Sequence, residues 1–395
     1  MTAPLRELRE LRVAVAGLGT IAQTIHLPLL ERLDGRFRLT AVADVSPTLL
    51  RRVGERYGVP EAARFTDVDK MLAAEGFDAV LLLTPGSHVP AAATALRAGH
   101  AVLSEKPLGY TRDELSALAA EPAADRLMVG YMKQYDPAAQ RLRRLLDTLG
   151  GPAAVHHVDV TVLHPSTPSQ LAFGDVRPAG DVPDAALAAS AAERERLTRT
   201  ALGDDVPDEV RTLYDITLGS ICHELSLIRL FADPPAGVDH AALWPAPAGA
   251  ERGSAPSVEL SGPLARVGRY AIRWLYLPGY PAYRETVTVH HATGSLELVF
   301  PSPYLLNVPT VLTERTSTGD DPHGGGNGDE RTSVYRSTMG GFEAELLAFH
   351  ALVTHGTPPL SGVADGVADV VTAQQAARRL AERLGTPLEG EAAHA

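Results

Sequence analysis

Six residues, Gly17-Leu18-Gly19-Thr20-Ile21-Ala22, stand directly after the apolar run Arg12–Ala16 and directly before a stretch with helical periodicity. Glycines at the first two marked positions allow a tight turn and let backbone approach a pyrophosphate, while the small third residue lets helix pack on strand. The N-terminus of the following helix then faces the phosphates. Gly17, Gly19, Thr20 and Ile21 are therefore candidate cofactor contacts. Asp44 closes the next apolar run, where an acidic side chain can accept hydrogen bonds from both hydroxyls of the adenosine ribose. A carboxylate there repels a 2′-phosphate, so NAD is favoured over NADP, with Arg51 and Arg52 as the side chains able to reverse that preference. Two further polar groups, Thr84-Pro85-Gly86-Ser87-His88 and Ser104-Glu105-Lys106-Pro107, each follow an apolar run. At the carboxyl ends of parallel strands such groups point into the ligand crevice.

Lysine is rare in the chain. Lys70, Lys106 and Lys133 are the only three among 36 basic side chains, and two of them fall in the candidate crevice. A compact ammonium kept where arginine is the rule marks a position to watch.

These residues need a scaffold, and residues 12–128 supply its pattern. Strand-like runs at Arg12–Ala16, Leu39–Asp44, Ala79–Leu83, Ala101–Ser104 and Leu127–Val129 alternate with helical stretches, as a doubly wound α/β parallel sheet requires. Beyond Gly130 the texture changes. A helix is expected over Pro137–Leu149, a strand over Ala154–Leu163, helices over Asp184–Leu202 and Gly219–Phe231, and a loop or frayed connection over 233–255. Period-two segments from Ser257 to Glu314, with a hairpin turn at Ala292–Gly294, predict an open, mostly antiparallel sheet. Helices at Gly341–His355 and Gly366–Arg383 close the chain. The glycine-rich run at 318–331 has almost nothing apolar to bury and is expected to be mobile.

The glycine turn, His26 and Pro28, Asp44, Thr84-Pro85 and above all Glu105-Lys106-Pro107 resemble the Gfo/Idh/MocA oxidoreductases, named for glucose–fructose oxidoreductase and inositol dehydrogenase. Phe342, Glu345 and Phe349 extend the likeness to the closing helices. The resemblance implies a Rossmann domain over 1–129 and an α+β domain for substrate binding and oligomerisation over 130–395, paired into a dimer or tetramer. It also implies a cis Lys106–Pro107 peptide and hydride transfer between nicotinamide and a secondary alcohol or ketone of a sugar, cyclitol or related polyol. Lys106 and His223 would be the catalytic pair. Thr84, Pro85, His88, Glu105, Lys106 and Lys133 would join the cofactor contacts. Gly219 stands where the family carries an aspartate ahead of its histidine, which leans the expected direction toward ketone reduction. Two rival readings remain: an enzyme that retains NAD and catalyses no net redox change, and a non-catalytic ligand sensor.

Composition bounds the partners. A chain of 395 residues with 45% hydrophobic and 21% charged side chains is soluble and globular in type, long enough for two domains. A net charge of −12 with no basic block disfavours nucleic acid and favours a small-molecule partner. No apolar run approaches the roughly 18 residues a bilayer demands. The opening MTAPLRELRE has no apolar core, so no secretion signal is read and a cytoplasmic location is expected. A lone cysteine, Cys222, excludes paired-thiol chemistry and is expected to be a buried small side chain. The tandem pairs His156–His157 and His290–His291 fall in strands, point to opposite faces and cannot chelate one ion, so no metal site is predicted. The insertion at 165–213 is expected to be a lid over the substrate pocket.

Overall fold

The computed structural model describes residues 9–172, 174, 176–246, 254–317 and 330–395. Its contacts divide the chain into two compact units. The first takes in the chain to Gly130 together with Gly174–Thr198 and Glu345–Val367, and the second holds the remaining described residues.

The first unit is built on six strands: β1 (Leu11–Ala16), β2 (Phe37–Ala43), β3 (Arg64–Phe65), β4 (Ala79–Leu82), β5 (Ala101–Ser104) and β6 (Leu127–Val129). They run parallel in the order β3-β2-β1-β4-β5-β6, the doubly wound order in which ligands bind beyond the strand ends where the order reverses. That reversal lies between β1 and β4. Val13, Ala14, Val15 and Ala16 of β1 and all four residues of β4 are fully buried, as a sheet covered on both faces demands. The two-residue β3 adds a strand that the sequence pattern does not show, because it has no apolar run of its own. The helix after the glycine turn contains a π turn at Ala22–His26 before it continues as Leu27–Arg32. Such turns are often found at functional sites.

The second unit carries eight strands: β7 (His157–His164), β8 (His240–Trp244), β9 (Ser257–Pro263), β10 (Arg269–Tyr276), β11 (Arg284–His291), β12 (Gly294–Phe300), β13 (Val311–Ser317) and β14 (Glu330–Arg336). Their order is β14-β13-β12-β11-β7-β10-β9-β8, with β7 and β10 as its one parallel pair among these strands. One face is apolar, with Val158, Val160 and Val162 beside Tyr270, Ile272 and Trp274. The other carries polar residues such as Asp159, whose carboxylate accepts from Arg273 at 2.5 Å. The stretch 233–255, expected as a loop or a frayed strand connection, contains β8. Of the glycine-rich run 318–331, residues 318–329 lie outside the described residues, while Glu330 and Arg331 open β14 rather than a mobile tail.

Three helices have no clear counterpart in the sequence pattern, one of them Thr167–Leu171 in the insertion. Met132–Tyr135 is too short to show a period, and Asp208–Ile216 runs through a π turn at Thr217–Ile221 into Cys222–Ala232, which blurs the 3.6-residue repeat. Cys222, the one cysteine of the sequence, is buried. Among the described residues no helix is long and apolar enough to cross a membrane.

Candidate cofactor and active site

Beyond the ends of β1, β2 and β4 the first unit carries a half-open cavity of about 550 Å³, lined in part by Gly17, Gly19, Asp44, Thr84 and Pro85. Gly17 adopts φ +91°, and a Cβ there would lie 2.7 Å from the Leu83 carbonyl, so only glycine lets β1 turn this close to β4. At Gly19 the reverse holds. A Cβ would meet nothing within 4 Å, so its backbone faces open space that a ligand can approach. Asp44 stands fixed at the rim: Oδ2 accepts from the Leu18 N–H at 2.7 Å and Oδ1 from the Ser46 N–H at 2.8 Å. A carboxylate has about four acceptor positions, so both oxygens remain able to take ribose hydroxyls. The residues present fit a dinucleotide.

Thr20 and Ile21 begin the helix and do not line this cavity; the Thr20 carbonyl accepts from Thr24 Oγ1 at 2.7 Å. The two arginines that could invite a phosphate turn elsewhere. Arg51 pairs with Glu55 at 3.6 Å, and Arg52 donates to the Arg177 carbonyl and, at 3.4 Å, to Gln23 Oε1. Asp44 and Asp67 are the charged side chains in the lining.

The second loop group is tied together from within. His88, expected as a cofactor contact, is 2% exposed, with Nδ1 2.9 Å from the Pro107 carbonyl and Nε2 2.7 Å from the Thr84 carbonyl. Its ring pins the loop after β4 to the loop after β5 and offers no free nitrogen to a ligand. Two carbonyl acceptors suit a doubly protonated ring, whereas burial moves the His88 pKa downward. With burial dominant, the ring is neutral and donates to one of the two carbonyls at a time.

The Lys106–Pro107 peptide is cis, as the resemblance implied. Glu105 is held by its neighbours: Oε1 lies 3.2 Å from His26 Nε2, and Oε2 accepts from the Lys106 N–H at 3.2 Å. Burial pushes the Glu105 carboxyl up, but His26 and Lys106 outweigh it and leave the net shift downward. Glu345 is fully buried, and neither of its carboxyl oxygens has a hydrogen-bond partner among the described residues. Burial, and then the charge of Glu105, raises its pKa well above the carboxylate range, so it is a neutral acid. Glu105 thus acts within a buried group, and Lys106 beside it is half-buried.

In the second unit His223 follows the π turn Thr217–Ile221 and meets the Tyr131 ring edge-on, with centroids 6.4 Å apart. Tyr131 donates to Asp369, which also accepts from Arg229 at 2.5 Å, while the Arg229 guanidinium lies 5.4 Å over the Tyr131 ring. Gly219 has no protein atom within 4 Å of where a Cβ would stand. Glu224, the residue after His223, is engaged elsewhere. Its Oε1 accepts from Lys133 Nζ at 2.8 Å, and Lys133 also donates to Glu285. Lys133, expected as a cofactor contact, has a side chain only 6% exposed, and its ammonium is held between two carboxylates of its own unit.

Sequence reasoning missed the part played by the insertion. Residues 174–198 group with the first unit, where Val182, Ala186, Leu187 and Ser190 line the same cavity as Gly17 and Asp44. No composition signal in this Ala/Asp/Pro-rich stretch reveals which surface it covers.

Comparison with known proteins bears on this geometry. The model of an oxidoreductase family with an NAD-binding Rossmann fold, GFO_IDH_MocA, matches residues 11–131. Residues 11–131 are thus similar to the NAD-binding domain of that family. A curated relative, inositol 2-dehydrogenase 4 of Saccharopolyspora erythraea, is 36% identical over 154 residues, which are 38% of this chain and 45% of the relative. The match therefore spans less than half of that protein. Solved structures show a likeness in fold along most of the chain. A scyllo-inositol dehydrogenase from Lactobacillus casei, with bound NAD(H) and scyllo-inositol, superposes with a TM-score of 0.64 at 16% identity, covering 95% of this chain and 98% of its own. A 3-ketoreductase from Actinomadura kijaniata, solved with NADP, gives 0.64 at 19% identity, covering 96% and 98%. At such identities the likeness speaks for the fold.

Proposed function

We propose that this chain is an NAD-dependent oxidoreductase of the Gfo/Idh/MocA type that moves a hydride between nicotinamide and a secondary alcohol or ketone of a sugar, cyclitol or related polyol. One observation carries the reading: the glycine-walled cavity with the Asp44 carboxylate fixed at its rim and no cation in its lining among the described residues. The polyol class is supported by the inositol dehydrogenase relatives. NAD is favoured over NADP because Arg51 and Arg52 are committed away from the cavity. A homodimer or homotetramer belongs to the same proposal.

A bound nicotinamide would supply the hydride acceptor, or in reverse the donor, for the carbinol carbon. In the oxidative direction His223 takes the hydroxyl proton, and the Lys106 ammonium stabilises the alkoxide as it develops; reduction reverses both. The alcohol loses one hydride and one proton and leaves as a ketone. The test follows reduced nicotinamide absorbance with a panel of polyols and keto-sugars. Lys106→Ala is expected to lower turnover roughly a hundredfold or more with nucleotide affinity kept. Full turnover in that variant overturns the assignment. His223→Ala retaining its rate would send the proton by another route.

A second reading, in which retained NAD oxidises and then re-reduces one substrate, is favoured by the insertion residues that wall the cavity. Product without net change in free nicotinamide would select it.

A further inference from the structure

The proposed chemistry leaves unused a segment that reaches the end of β2 from far along the chain. Asp181, which follows Ser46 by 135 residues, sets its carboxylate on the first turn of the Pro47–Arg56 helix. Its Oδ1 accepts from the Ser46 hydroxyl, and its Oδ2 accepts from the Thr48 N–H at 2.9 Å. Ser46 is also the helix cap, since its Oγ accepts from the Leu49 N–H at 3.1 Å while its own N–H donates to Asp44 Oδ1 at 2.8 Å. Asp44, Ser46 and Asp181 are thus one hydrogen-bonded chain. Its donors, a serine hydroxyl and backbone N–H groups at a helix N-terminus, are the kind that receive phosphate. Here the protein fills them with its own carboxylate, and the Ser46 and Thr48 donors hold Asp181 down to about 2, charged at any working pH.

An independent feature lies beside it. Val45 is 44% exposed and Leu187 56% exposed, and both line the cavity. Single exposed apolar side chains are ordinary. Two from distant parts of the chain, lining the cavity that the glycine turn and Asp44 also line, make an apolar wall suited to a flat base.

We infer that Asp181 is a specificity-determining residue that refuses a 2′-phosphorylated dinucleotide by occupying the Ser46 and Thr48 donors, while Leu187 and Val45 hold the adenine. The inference rests on the nicotinamide reading of the cavity. A 2′-phosphate arriving beside Asp44 finds the local donors taken and a second carboxylate in place, whereas a ribose hydroxyl still has Asp44 to donate to.

The experiment uses the full-length chain stripped of nucleotide, with NAD and NADP affinities measured by calorimetry. Asp181→Ala is expected to raise the affinity for NADP relative to NAD about tenfold or more, because charge-assisted hydrogen bonds to phosphate become available. Asp181→Asn, which removes the charge and keeps the shape, should shift the ratio in the same direction by less. Leu187→Ala should weaken both nucleotides together and leave their ratio unchanged. Wild-type protein that prefers NAD, with Asp181→Ala leaving the ratio where it was, overturns this inference alone. An equal weakening of both nucleotides by Asp181→Ala overturns it as well. Wild-type protein that binds neither nucleotide, or NADP as tightly as NAD, overturns the nicotinamide and NAD reading first.

Discussion

One ammonium cannot neutralise two carboxylates in a dry interior, and that imbalance governs the residues around Lys133. Glu224 and Glu285 both face its Nζ, and Tyr283 donates to Glu285 Oε2 at 2.6 Å. Burial, with the charge of Glu285 added and Lys133 opposing, pushes the Glu224 carboxyl up to about 7 from an ordinary 4.5. The folded chain therefore keeps a proton that the unfolded chain releases between those two values. Where the folded state binds more protons, stability falls as pH rises, so this group costs stability through the window from about pH 4.5 to about pH 7. The cost levels off above it at a few kcal/mol. Glu224→Gln should flatten that slope in urea unfolding measured across the window, and an unchanged slope would show that Glu224 is ionised throughout. In the sequence Lys133 stands out as a crevice lysine through its scarcity. Scarcity does identify a lysine with a demanding environment, but the partners that create it, 91 and 152 residues further on, carry no local signal.

At the scale of elements, the meeting of β1 and β4 is where the sequence speaks most clearly. Gly17 stands in the left-handed region with its missing Cβ aimed at the Leu83 carbonyl and the Thr84 N–H. Gly17→Ala must both strain the backbone, at about 1–2 kcal/mol, and push the two strand ends apart. A loss of at least about 2 kcal/mol in denaturant unfolding is expected, together with loss of nucleotide affinity. Gly19→Ala, which meets no protein atom, should leave stability within about 1 kcal/mol and fail only in binding. If the two variants behave alike, the glycines have no separate roles. Strands β4, β5 and β6 are legible because runs buried on both faces are almost continuously apolar, and β1 and β2 because their buried second halves are. Two π turns are not legible, nor is the short helix Met132–Tyr135, since neither leaves a full period in the sequence. The insertion helix Asp184–Leu202 is legible to its ends, yet its destination is not. A helix whose surface is mostly alanine and charge announces that it is a helix and not what it covers.

For the molecule as a whole, charge sets the terms on which an anionic nucleotide arrives. The chain carries a net charge of −12, and the charged side chains lining the cavity, Asp44 and Asp67, have the same sign. On the proposed reading, attraction to the phosphates is expected at short range, from backbone N–H groups at the glycine turn and the helix behind it. The long-range field opposes the approach. Added salt shortens the Debye length from about 30 Å at 0.01 M to about 8 Å at 0.15 M, which removes the repulsion at a distance and spares contacts made inside the cavity. The association rate for NAD should therefore rise with ionic strength over that range, opposite to the usual fall for electrostatically steered ligands. The rise should be steeper for NADP, which carries the larger charge. Stopped-flow measurements of nucleotide binding at several salt concentrations decide it. A rate that falls with salt would mean that cations outside the cavity, such as Arg52, Arg56 and Arg177 around the neighbouring cavity of about 170 Å³, steer the phosphates in.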